Sequence, residues 1–379
     1  MSTMLAQGQM DSSTTWISEH FSVQGYVKYL TTASFSNADD LLTHQFFHNR
    51  INFKYYATPS ITLVVENRNR VFFGETVKLT PDYGALVDQS TGTVDLSWLW
   101  MAEKSIVGHS TLDRAYVQYS KGDWDVSVGR QRINWGINVA WNPNDLFNAY
   151  NLVDFDYQER PGSDAVRVRH YMGRHAIEVA AAPDTALNTS VIGLLYKVNV
   201  LNYDLQFLAA NYRLDYAVGG GWAGNLKNAG FKGEATYFIP KTTSNGSKEA
   251  FAGSLSVDYL FRKGLYINVS GLYNSIGERS LTAQSLAFQS GAPLSAKNLM
   301  PSRFTSFIQL SGAFTPAFSG ALSAIYLHEM DISFLMPSVA YNINNSWDID
   351  LTGQLYFGDA GNGYRNLGNA LFLRVRLSY

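Results

Sequence analysis

The chain has 379 residues, a formal net charge of −2, 16% charged and 14% aromatic residues, 31 glycines and no cysteine. The lack of cysteine excludes disulfides and thiolate metal sites, and the near-neutral charge gives no general attraction to nucleic acid. Mean hydropathy is −0.12, and no apolar run approaches the roughly 18 residues of a membrane-spanning helix. Few charges with many aromatics and glycines instead fit strands that alternate between lipid and a polar lumen.

The opening MSTMLAQGQ has small residues near Ala6 that resemble the end of a secretory signal peptide, without its charged start or full apolar core. Residues 1–19 therefore read either as the remnant of such a signal or as a plain tail. No linker or shift of composition divides the rest, so 20–379 is expected to be a single domain.

The first strand is expected near 20–33, with Phe21, Val23, Val27 and Tyr29 on one face and Ser22, Gln24, Tyr26 and Lys28 on the other. A polar connection leads to a strand at 49–57, then the turn TPS and a strand at 61–73. In the long piece 74–111, DLSWLW reads as an additional strand or as part of a folded loop. DRAYVQYS (113–120) then turns at Lys121-Gly122 into the stretch around which the chain is organised, 123–169. There, two alternating Arg-bearing segments enclose a long connection rich in Trp, Asn, Pro and acidic residues, and loops of that length are uncommon unless functional.

Beyond it, tight turns at Gly173-Arg174, Asn202, Lys263-Gly264, Pro316 and Asn344-Asn345 alternate with longer polar connections at 240–249, 277–302 and 358–367. Short turns on one side and long loops on the other are the layout of outer-membrane barrels. Taking the Gly-rich 215–225 as a strand gives about 18 strands (about 16–18), an even number as such barrels require. The fold class expected is therefore all-β, an antiparallel up-and-down transmembrane barrel. The last strand, LFLRVRLSY, sets Leu371, Leu373, Val375, Leu377 and Tyr379 against Phe372, Arg374, Arg376 and Ser378. Ending on an aromatic residue resembles the C-terminal signature that bacterial assembly machinery reads, here carried by Tyr379.

Alternation also gives the inward face. Lys28, Arg50, Lys54, Arg68, Arg70, Arg114, Arg167, Arg169, Arg374 and Arg376 are expected on one wall, with Glu66, Asp348 and Asp350 as partners. The facing wall, from about 190 to 330, carries Ser, Asn, Thr and Gln instead. Arg130 and Arg132 break the pattern by sharing the parity of Trp124, Val126 and Val128. An Arg on the lipid face at mid-membrane costs about 2–4 kcal/mol. A bulge at Gly129 would turn them inward, and is preferred over a position above the bilayer.

The bases have two readings. In one they clamp an inserted loop through its Asp145, Asp154, Asp156 and Glu159; in the other they form a track for anions. The loop, 137–164, is expected to fold inward and form the constriction, held by Arg114, Arg132, Arg167 and Arg169. Asn142-Pro143-Asn144-Asp145 and Arg160-Pro161-Gly162 read as turns, and Trp135 and Trp141 as packing anchors, with stacking on sugar rings the alternative.

GRQRINWG, WNPNDLFN and ERPGSDAVR together resemble a motif of porin-like bacterial outer-membrane proteins of largely unknown function, distantly similar to alginate-export barrels. That resemblance implies an 18-stranded barrel with a basic lumen, without carrying over a substrate.

Signs of catalysis are weak. His44 and His48 have the i, i+4 spacing of a helical metal pair but adjoin a strand and lack the intervening Glu, and neither a GxSxG elbow nor a Gly-rich phosphate loop occurs. The expectation is a channel of the bacterial outer membrane for small hydrophilic, anionic solutes, not an enzyme and without cofactor or metal. Lipids, lipopolysaccharide and the assembly machinery would be its partners. A plugged accessory subunit of an assembly or export complex, and an outer-membrane hydrolase, are the alternatives.

Overall fold

The computed structural model describes residues 12–35, 41–88, 92–149, 160–184, 190–242, 248–277, 295–359 and 363–379. After a short helix α1 (Ser12–His20) the chain enters one antiparallel sheet. Its first strands are β1 (Phe21–Phe35), β2 (Leu42–Thr58) and β3 (Ile61–Phe73). Two single-turn helices, α2 (Glu75–Leu79) and α3 (Tyr83–Val87), precede β4 (Ser97–Glu103), β5 (Ile106–Lys121) and β6 (Trp124–Gln131). After the inserted loop come β7 (Ser163–Met172), β8 (His175–Ala182), β9 (Val191–Val200), β10 (Tyr203–Tyr212), β11 (Asp215–Leu226), β12 (Ala229–Pro240) and β13 (Ala250–Leu260). The series closes with β14 (Tyr266–Asn274), β15 (Phe304–Ala313), β16 (Phe318–Leu327), β17 (Ile332–Asn342), β18 (Trp347–Asp359) and β19 (Tyr364–Ser378).

Eighteen of these strands form a closed ring, because β3 pairs directly with β5 and β19 returns to β1. The Gly-rich 215–226 is a ring strand, and DLSWLW supplies β4, which lies outside the ring order and pairs only with the 106–111 half of β5. β4 stands there in place of β6, which stops at Gln131 where the chain turns inward. At the seam, Tyr379 exchanges both backbone hydrogen bonds with Gly25, at 2.9 Å each. A Cβ at Gly25 would lie 2.8 Å from the Tyr379 hydroxyl, so the terminal ring covers that glycine.

Period-2 alternation decides the two faces. Val27, Phe47, Val65, Val117, Val128, Val179, Phe207, Leu255, Val269, Ile308, Leu351 and Leu373 are exposed on the outside, while Lys28, Arg50, Ser127, Gln206, Glu234, Thr236, Ser256, Asn268 and Thr352 are enclosed. The outer surface is thus an apolar band and the inner one polar through the lower and middle barrel.

The upper inner wall departs from this rule. Leu195, Leu208, Phe238, Leu272, Phe307, Ile325 and Phe334 face inward and are buried, because three chain segments fold into the mouth and cover them. The first is the loop beginning at Arg132. The second, 295–303, buries Leu299 and Met300 against β14–β17 and Trp141, and Ala296 in the cluster of Trp135 and Tyr212. The third is the piece holding α2 and α3, where Val77 packs on Leu30, Phe46, Phe72 and Val107. This explains why β2 begins at Leu42 and not near 49: Phe46 and Phe47 face opposite ways yet both meet apolar surroundings, so the local sequence loses its polar alternation.

Candidate functional site

The basic wall is built by β1–β3, β5–β7, β18 and β19. Register places many of its charges directly opposite counter-charges: Asp350 faces Arg374 and Asp348 faces Arg376, with contacts of 2.7 and 2.9 Å. Asp125 faces Arg169, at 2.8 Å, and stands 4.0 Å from Arg167. Such cross-strand pairs stabilise a sheet modestly, by about 0.2–1 kcal/mol each. Arg50 pairs with both Glu66 and Asp113, and Arg68 reaches Asp113 at 2.9 Å. Arg70 stacks over Phe72 and contacts His109, which in turn meets Asp88 at 3.1 Å. Lys54 is exposed on β2 near its lower end, and Lys28 is enclosed. On this wall the bases outnumber the carboxylates.

Asp113 is inward only because of a bulge. The register of β3 and β5 slips between Glu66/Arg114 and Asn67/Leu112, leaving Asp113 as the extra residue. Two consecutive side chains, Asp113 and Arg114, then point to one face. Simple alternation predicts Arg114 inward but sets Asp113 against lipid; the adjacency of an acid to an inward Arg was the available signal.

The expected bulge at Gly129 is absent: pairing runs through Tyr116↔Gly129 and Gly129↔Ala165 without slipping. Gly129 has φ +119°, and a Cβ there would meet the Ala115 carbonyl at 2.3 Å, so glycine is required for other reasons. Arg130 keeps its outward parity and is nevertheless 6% exposed. The segment entering β4 crosses in front of it: Arg130 grips Asp164 at 2.7 and 2.8 Å and donates to the Val94 carbonyl, while the Val94 N–H donates to Asp164. A charge that alternation assigns to lipid is screened by protein. Arg132 is exposed at the start of the insert.

The inserted loop begins five residues earlier than expected, since Ile133 and Trp135 are already fully buried. Its described first part, 132–149, leans on the wall opposite the bases, and the reason is the chemistry of a loop backbone. Outside regular structure its N–H and C=O groups need partners, and the small polar side chains of β10–β13 supply them. Gln206 donates to the Trp135 carbonyl at 2.7 Å, Thr236 to that of Pro143 at 2.9 Å and Ser254 to that of Trp141 at 2.9 Å. Asn144 donates to the Gly220 carbonyl, and Ser256 donates to Asn138. The Glu234 carboxylate, 2% exposed, accepts the Ile137 N–H at 2.7 Å and faces the Asn144 N–H at 3.5 Å.

Close approach is possible because β11 presents glycines. A Cβ on Gly219 would fall 3.0 Å from Asn144 Oδ1, and one on Gly221 would fall 2.8 Å from Ile137 Cδ1. Trp135 donates to Glu178 at 2.8 Å and meets Phe147 edge-on; Trp141 packs edge-on to Phe307. Both indoles are enclosed, leaving no ring face for a solute.

Among the described residues, Arg114 and Arg167, two of the arginines expected to hold the loop, reach carbonyls at its ends: Arg114 donates to Arg160 and Arg167 to Arg132. Arg169 is occupied by Asp125. Asp145, fully buried, lies 3.5 Å from Arg160 of its own loop. Burial pushes its carboxyl up to about 6, against the opposing pull of Arg160 and Arg132. Asp154, Asp156 and Glu159 lie outside the described residues. Sequence reasoning missed Glu234, Glu178 and Asp113, as well as Asp215, which binds Lys297 of the second insert at 2.7 Å.

His44 and His48 sit on the inward face of β2, bonded to Tyr83 and Tyr26 respectively. Among the described residues no group of three His, Asp or Glu is arranged to hold a metal.

No family model and no curated protein matches the chain. Solved structures do. OccAB1 of Acinetobacter baumannii superposes with a TM-score of 0.59 at 10% identity, over 94% of this chain and 96% of that one. The outer membrane protein OprD of Pseudomonas aeruginosa gives 0.58 at 7% identity, over 95% and 93%. OccK11 (OpdR) of the same organism gives 0.57 at 7%, over 95% and 96%. At such identities the likeness concerns architecture, and the closed 18-stranded antiparallel barrel of this chain is similar to that of the OprD and Occ outer-membrane proteins.

Proposed function

We propose that the barrel resides in a bacterial outer membrane and acts as a passive channel for small hydrophilic solutes, favouring anions. The observation that carries the reading is the placement of Arg68, Arg167, Arg374 and Arg376 along one inner wall, facing a loop held to the other. Their guanidinium groups are partly exposed inside the barrel, and rows of Arg favour anion passage. The apolar outer band supports the membrane placement, since such a face is stable against hydrocarbon.

Planar-bilayer recording of the purified protein is the test. Discrete open steps with an anion-positive reversal potential are expected, and Arg167→Glu should move the reversal potential toward cations. A barrel that inserts yet stays electrically silent would favour a plugged accessory subunit, a reading the three segments in the mouth support.

A further inference from the structure

We propose that the outer surface of β14–β19 holds one anionic glycerophospholipid, its acyl chain in a groove and its phosphate at Lys263. The groove encloses about 610 Å³ and runs obliquely from the short turn between β13 and β14 up to Leu371. Spanning five inter-strand spacings of about 4.8 Å, it is roughly 24 Å long, the scale of an extended acyl chain.

Its floor is made where outward positions lack side chains. Gly312 and Gly320 are direct cross-strand partners, and Gly353 lies beside Pro337, where a Cβ would come within 3.3 Å of the ring. Proline has no N–H to give the ladder, and the β17–β18 pairing lapses between Leu335↔Leu355 and Ser338↔Thr352. Phe314 and Leu322 stand exposed as its walls.

At the end of the groove the chemistry changes. Lys263 lines it, Arg262 precedes it in the same exposed turn, and among the described residues neither meets a carboxylate. That turn lies at the rim with the short connections, where the apolar band ends, so a cation sits at headgroup height above a slot of acyl-chain shape. Charge complementarity selects an anionic headgroup over a zwitterionic one. A second outward groove, beside Gly271 and Phe304, ends instead at the Ser306–His328 pair and has no lysine or arginine in its lining. It serves as the internal control.

The inference shares the membrane placement of the channel reading but not its conductance. The test is native mass spectrometry of the full chain in detergent with equimolar dioleoyl-phosphatidylglycerol and dioleoyl-phosphatidylcholine. Wild type is expected to retain the glycerol lipid at least about fivefold over the choline lipid, the scale of one basic residue at a lipid surface. Arg262→Gln with Lys263→Gln should bring the ratio near one. Gly320→Leu should lower retention of both lipids, and Gly271→Leu should leave retention unchanged. Equal retention by wild type and the double Gln variant overturns the proposal, even if Gly320→Leu fails to fold. So does a change in protomer number on Gly320→Leu, which would make a second copy the occupant. A conducting barrel without lipid preference overturns this inference alone.

Discussion

Glu234→Ala isolates what holds the inserted loop in place. In the folded barrel its carboxylate accepts the Ile137 N–H at 2.7 Å in a buried site. The 3.5 Å approach of the Asn144 N–H adds little. Leaving the buried Ile137 N–H without its acceptor costs about 1–3 kcal/mol. With about 1.4 kcal/mol per factor of ten, opening of the loop should become roughly 5 to 150 times more frequent. Amide hydrogen exchange reads this directly: the Ile137 amide should exchange faster by that factor, while amides of β2 and β3, on the far side of the ring, should not change. Glu234→Gln retains one acceptor oxygen and should recover most of the protection. If Ile137 is equally protected in the Ala variant, the neutral contacts from Gln206, Thr236 and Ser254 suffice alone and the reasoning about Glu234 is wrong.

The remaining predictions concern the same loop. Gly221→Val places a branched side chain where Ile137 lies, and overpacking of this kind costs about 1–3 kcal/mol; a lower melting temperature with accelerated exchange at Asn138 is expected, and an unchanged melt would refute the close approach. Asp145 titrates near 6 in the docked loop against 3.8 unperturbed. A carboxyl raised in the folded state stabilises below its unfolded value, and that contribution is lost as pH rises through the folded one. Asp145→Asn should therefore raise the melting temperature relative to wild type increasingly between pH 4 and pH 7, and a constant difference across that range would count against the burial of the acid.

Why residues 135–144 of the loop rest on the neutral wall follows from what each wall has to offer. The guanidinium groups of Arg374, Arg376 and Arg169 are committed to Asp350, Asp348 and Asp125 across adjacent strands. Arg cannot accept a hydrogen bond at all, whereas a loop backbone presents donors as well as acceptors. Ser, Thr, Asn and Gln can match both, and glycines let the loop approach. The bases are thus left on the wall across from the described part of the loop.

Alternation, with the parity of turns and loops and the closing aromatic, pointed to a closed antiparallel barrel of about 18 strands, with Arg50, Arg167 and Arg374 on its inner face, because a one-residue error would put a guanidinium in hydrocarbon. The small residues of β11 were visible as AVGGGWAG, and their meaning, a seat for Ile137 and Asn144, was not. What only the tertiary structure decided lies where one strand meets something other than lipid or water. The bulge that turns Asp113 inward, the crossing segment that screens Arg130, and the segments that bury Phe307 and Phe334 all depend on distant chain. Local period carries two environments per strand, and a third, protein on the inner face, leaves no signature that a single strand can display.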